Sequence, residues 1–84
     1  MKRFVTVNQL VEVTIDESKF NQKFMAEFRD YFYQFNTIDE HIEHLAQLYA
    51  RGLVDSPGFI EGYGEASEMG IEFKIVDTEI EIKE

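Results

Sequence analysis

The side chains most able to do chemistry are the histidines of Glu40-His41-Ile42-Glu43-His44. On a helix, positions three apart share a face, so His41 and His44 could hold one edge of a metal ion. A closed site needs further ligands, and the chain has no other histidine and no cysteine. The order also differs from the H-E-x-x-H of zinc proteases. The expectation is a capped first helical turn with His41 and His44 partly exposed, and no metal. Gly62-Tyr63-Gly64 runs into Glu65 without the third glycine of a dinucleotide fingerprint, and it does not lead from a strand into a helix. Ser18, Ser56 and Ser67 stand in no nucleophile motif. Paired carboxylates carry little information in a chain with 17 acidic residues. The reading is therefore a protein that is not an enzyme and needs no cofactor.

The residues between Phe20 and Gly52 organise the rest. Phe20, Phe24, Phe28 and Phe32 recur every four residues, with Met25, Tyr31 and Phe35 widening the stripe. This is one buried face of an amphipathic helix, or else an aromatic groove for a ligand or peptide. Thr37-Ile38-Asp39-Glu40 fits a capping box that opens a second helix, and Arg51-Gly52 closes it. Its apolar face is Ile38, Ile42, Leu45, Leu48 and Tyr49.

Strands flank the helices. Val5, Val7, Val11, Val13 and Ile15 alternate with polar residues, which predicts a half-buried strand over 3–15 with a bulge or edge position near Asn8-Gln9. Asp55-Ser56-Pro57-Gly58 is a turn signal, and Phe59, Ile60 and Tyr63 are expected to tuck under the connection that follows. Ile71, Phe73 and Ile75 alternate again, so Met69–Ile75 reads as a strand. The phase changes before Ile80 and Ile82, which suggests a hairpin turn at Val76-Asp77-Thr78, with a bulge in one long strand as the alternative. The predicted fold is a single α+β domain over residues 1–84. It has a small antiparallel β-sheet with two helices packed on one face, in the order β-α-α-β-β.

The charge balance decides what kind of partner is expected. Acidic residues outnumber basic ones 17 to 8, for a net charge of −9. That argues against direct binding to nucleic acid or to an anionic membrane, and favours a basic protein partner. No apolar run approaches the ~20 residues of a membrane-spanning helix. A leader segment is not apparent at Met1-Lys2-Arg3, and a cytoplasmic location is the expectation. Residues 61–84 hold eight carboxylates against two lysines. Glu61, Glu65, Glu68, Glu72, Glu79 and Glu81 are the candidate partner-binding residues, on an open sheet face and its adjoining loop. Carboxylates so arrayed can imitate phosphates, or simply solubilise the fold and guard its edges.

A resemblance sharpens the partner. The segments Val13-Thr14-Ile15-Asp16-Glu17-Ser18-Lys19-Phe20, Phe24-Met25-Ala26-Glu27-Phe28-Arg29, Thr37 to Gly52 and Phe59-Ile60-Glu61-Gly62-Tyr63-Gly64 with Met69-Gly70-Ile71, within residues 11–73, resemble small acidic phage and prophage proteins of proteobacteria. The chain is similar in this to anti-CRISPR inhibitors of type I systems. The resemblance implies binding to the type I surveillance complex (Cascade), a basic nucleic-acid-binding assembly of the host cell, by a DNA-mimicking acidic surface. It assigns no particular residue. The rival expectation is a non-enzymatic homodimeric interaction module that pairs through exposed aromatics or an open sheet edge.

Overall fold

The computed structural model describes residues 1–54 and 58–83. Strand β1 (Phe4–Thr14) is followed by a 3-10 turn (Glu17–Lys19), helix α1 (Gln22–Tyr31) and helix α2 (Ile38–Ala50). Two short strands, β2 (Phe59–Ile60) and β3 (Gly64–Glu65), precede the long final strand β4 (Glu72–Lys83). The class is α+β. The sheet differs from the expected one: β1 and β4 form one two-stranded antiparallel sheet, and β2 and β3 form another.

Local chemistry sets the helix ends. The Asn21 side chain accepts the Phe24 N–H at 2.9 Å and starts α1. The helix is thus shorter than the phenylalanine repeat: Phe20 precedes it and Phe32 caps its end. Thr37 Oγ1 accepts the Glu40 N–H while Glu40 Oε1 accepts the Thr37 N–H, each at 3.2 Å, so the expected capping box is formed. At the other end Gly52 takes φ +71°. The Leu53 N–H then reaches Leu48 O at 2.9 Å and the Gly52 N–H reaches Tyr49 O at 3.0 Å, a Schellman closure.

The core lies at one end of the molecule. Phe20, Met25, Phe28, Leu45, Val54, Ile60, Tyr63, Ala66 and Ile71 are buried there, with Val13, Ile15 and Phe73 packed against them. Tyr49 of α2 stacks on Phe73 of β4 with ring centroids 4.6 Å apart. Helix α2 therefore covers only the base of the β1–β4 ribbon. The segment between α2 and β4 is held by the β2–β3 pairing and by bonds from Ala66 N–H to Gly58 O (2.9 Å) and Ile71 N–H to Ala66 O (2.8 Å). Ile60 and Tyr63 tuck inward as expected, but Phe59 does not; it is exposed, because β2 turns neighbouring side chains to opposite faces. Of the expected turn at Asp55-Ser56-Pro57-Gly58, residues 55–57 lie outside the described residues.

The ribbon corrects the hairpin reading. β4 runs unbroken from Glu72 to Lys83 along the whole of β1. The phase change is a bulge: Leu10 pairs with Asp77 and Val11 with Ile75, so Val76 is the extra residue. The alternative weighed for 76–78 is thus the one realised, and the irregularity lies at Leu10/Val11 rather than at Asn8-Gln9. β-Branched Val76 and Thr78 suit a strand and supply none of the positive-φ residues a tight hairpin turn needs.

The bulge has a geometric consequence. It brings Ile75, Phe73 and Ile71 into phase with Ile80 and Ile82, so one ribbon face carries Val5, Val7, Val11 and Val13 with Ile82, Ile80, Ile75 and Phe73. Only its base is covered. The rest projects as an arm, and the molecule measures 51 × 23 × 19 Å. Its radius of gyration is 15.2 Å, against about 12 Å for a compact chain of this length.

Candidate interaction surface

The histidines take a structural role. His41 is fully buried, contrary to the expected partial exposure, and its Nδ1 lies 2.8 Å from the Tyr63 hydroxyl. Aromatic rings enclose it. Phe28 stands edge-on with a centroid separation of 4.6 Å, and Phe35 perpendicular at 5.1 Å. Its Nε2 has no hydrogen-bond partner. Burial, and after it the positive potential of His44, pushes the His41 pKa down; Glu40 opposes this and Arg29 adds to it. Burial likewise pushes the Tyr63 hydroxyl upward. A neutral imidazole bonded to a phenol inside an aromatic box is a core polar pair. His44 is half-buried, and burial lowers its pKa too. Among the described residues no three potential metal ligands come together.

Gly62 is explained by packing. It adopts φ +90°, and a Cβ there would come within 2.7 Å of the Phe28 ring. The glycine lets the β2–β3 turn press Tyr63 against Phe28, whose centroid lies 5.0 Å away. Beside this box Phe28, Tyr31, Phe32, Tyr33, His44, Leu48 and Glu61 line an open cleft of about 310 Å³. The phenylalanine stripe thus serves both core and surface: Phe28 is buried, whereas Tyr31, Phe32 and Tyr33 are exposed.

The acidic candidates divide into two groups. Glu72, Glu79 and Glu81 lie on the arm face opposite the aliphatic one, paired across the ribbon with Thr14, Asn8 and Thr6. The ladder adds Asp77, opposite Leu10, and Glu12, opposite Lys74. Sequence reasoning passed over these two as site residues. The signal for Asp77 was the same phase change, because only a bulge aligns Asp77 with Glu72. Carboxylates at 77, 79 and 81 follow one another at about 6.8 Å along the strand, with Lys74 as the one basic side chain of this face between Glu72 and Glu81. Glu61 and Glu65 sit instead at the β2–β3 hairpin, Glu61 on the rim of the aromatic cleft, and Glu68 follows in the turn before β4. All six are exposed, but the fold aligns only the three on β4.

No helix among the described residues is long and apolar enough to cross a membrane. Compared with protein-family models, curated proteins and solved structures, the chain matches none.

Proposed function

We propose that this protein acts by binding, and that the acidic face of its projecting arm docks into a basic groove of a nucleic-acid-handling complex. The observation that carries this reading is the alignment of Glu12, Glu72, Asp77, Glu79 and Glu81 on one face of a two-stranded ribbon. A ribbon that stands away from the body can enter a groove shaped for a nucleic-acid strand, and its carboxylates can meet lysines and arginines that otherwise contact phosphates. The net charge of −9 adds long-range attraction to such a partner. Within that class, the resemblance of residues 11–73 to phage-borne inhibitors points to a type I CRISPR surveillance complex, with the arm occupying the path of target DNA.

The test is a gel shift of target DNA by a purified type I surveillance complex, preincubated with this protein at low and moderate salt. The expected result is loss of the shifted band, with inhibition weakening as salt rises, because exposed charges on both surfaces are screened. An intact shift at a large excess of the protein at low salt contradicts the proposal.

A further inference from the structure

The other face of the arm carries a separate message. From base to tip it presents Val11–Ile75, Gln9–Thr78, Val7–Ile80 and Val5–Ile82 as cross-strand pairs. The aliphatic members beyond the body are open: Val5, Val7, Ile80 and Ile82 are 50%, 54%, 68% and 62% exposed. We infer that this aliphatic face is covered by the same face of a second copy of this chain, the two arms stacking about a twofold axis near Val7 and Ile80.

Charge selects the occupant. In a chain of net charge −9, this face bears no ionisable group between Val5 and Val13 or between Phe73 and Ile82, while the opposite face takes the carboxylates. A second copy is as acidic as the first, so of the two arm faces it is the charge-free one that two copies can share without burying like charges. Stacking leaves both acidic faces pointing outward. With the arms antiparallel, the basic tip of each, Lys2 and Arg3, runs toward the partner's acidic body.

The ribbon's own physics also calls for a cover. An isolated two-stranded ribbon is marginal in water, and packing on one face is what stabilises it. The body supplies this only at the base, where Val13, Ile15 and Phe73 pack against the core and Tyr49 stacks on Phe73. The open aliphatic side chains with Ile75 expose on the order of 450 Å² per copy, so a stacked pair buries roughly 900 Å² plus its flanks, near the ~1,000 Å² at which specific association begins. The pairing is therefore reversible and concentration-dependent. It does not depend on the acidic-face reading, and either can fail without the other.

Sedimentation equilibrium of the full chain, from about 5 to about 500 µM, tests it. The apparent mass is expected to rise from 9.9 kDa to twice that, and to rise further toward the dimer with added salt, which screens the repulsion between acidic copies. Ile80→Lys, at an exposed position, should hold the mass at the monomer value with an unchanged near-ultraviolet circular dichroism spectrum. Asn8→Lys, on the opposite face, should leave the pairing intact. A monomer throughout the range overturns the inference. So does a dimer that survives Ile80→Lys, which would assign pairing to an open strand edge or to the exposed aromatics.

Discussion

At the scale of single residues, His41 couples the fold to pH. It is buried neutral among aromatic rings, and burial holds its pKa below the ordinary 6.5. The unfolded chain therefore takes up a proton first as pH falls. Stability contributed by the neutral imidazole is fully present above about 6.5 and is lost progressively as pH drops from there toward the folded-state value. Urea unfolding is expected to give a lower midpoint at pH 5 than at pH 7. His41→Phe should flatten that difference, with His44 leaving a remainder, since its pKa is lowered in the same direction. A wild-type midpoint that does not change between pH 5 and 7 would contradict this. Nothing local in Glu40-His41-Ile42 marks this burial. It depends on Tyr63, 22 residues away, and on how closely Gly62 lets that tyrosine approach Phe28.

At the scale of elements, the bulge in β4 decides which side chains share a face. Removing Val76 places Ile75 directly before Asp77 and makes the ladder regular. Ile80 and Ile82 then stay in phase with Phe73 and Ile75, and Asp77 with Glu72 and Lys74. The deletion is thus expected to keep the ribbon paired, with a stability change of no more than about 1 kcal/mol. Amide exchange on both sides of the junction should remain protected. Collapse of protection throughout 77–83 would show that the bulge itself holds the arm together.

The same element shows how much the sequence disclosed. Alternation marks residues 3–15 and Met69–Ile75 as strands, and Thr37 with Glu40 marks the start of α2. These signals act within a few residues, through side-chain period and capping. The phase break at 76–78 was equally visible, but a hairpin and a bulge produce the same break. What separates them is the length of β1 opposite, which no local pattern reports. Glu72, Glu79 and Glu81 therefore lie on the exposed arm face, where the bulge adds Asp77 to them, whereas Glu61, Glu65 and Glu68 belong to the body.

At the scale of the whole molecule, the chain is a small aromatic-cored body bearing a two-faced arm. One arm face is acidic, the other aliphatic, and the body secures only the base of the ribbon. In the proposed function the acidic arm face, rather than acidity in general, makes the contact. Two variants with the same change in net charge separate these ideas. One carries Asp77→Lys, Glu79→Lys and Glu81→Lys on the arm; the other carries Glu61→Lys, Glu65→Lys and Glu68→Lys on the body. The decisive measurement is the affinity of each for a type I surveillance complex at fixed salt. The arm variant is predicted to lose about 100-fold or more and the body variant less than about 10-fold. Equal losses in the two, or a larger loss from the body variant, would contradict the assignment of the contact to the arm.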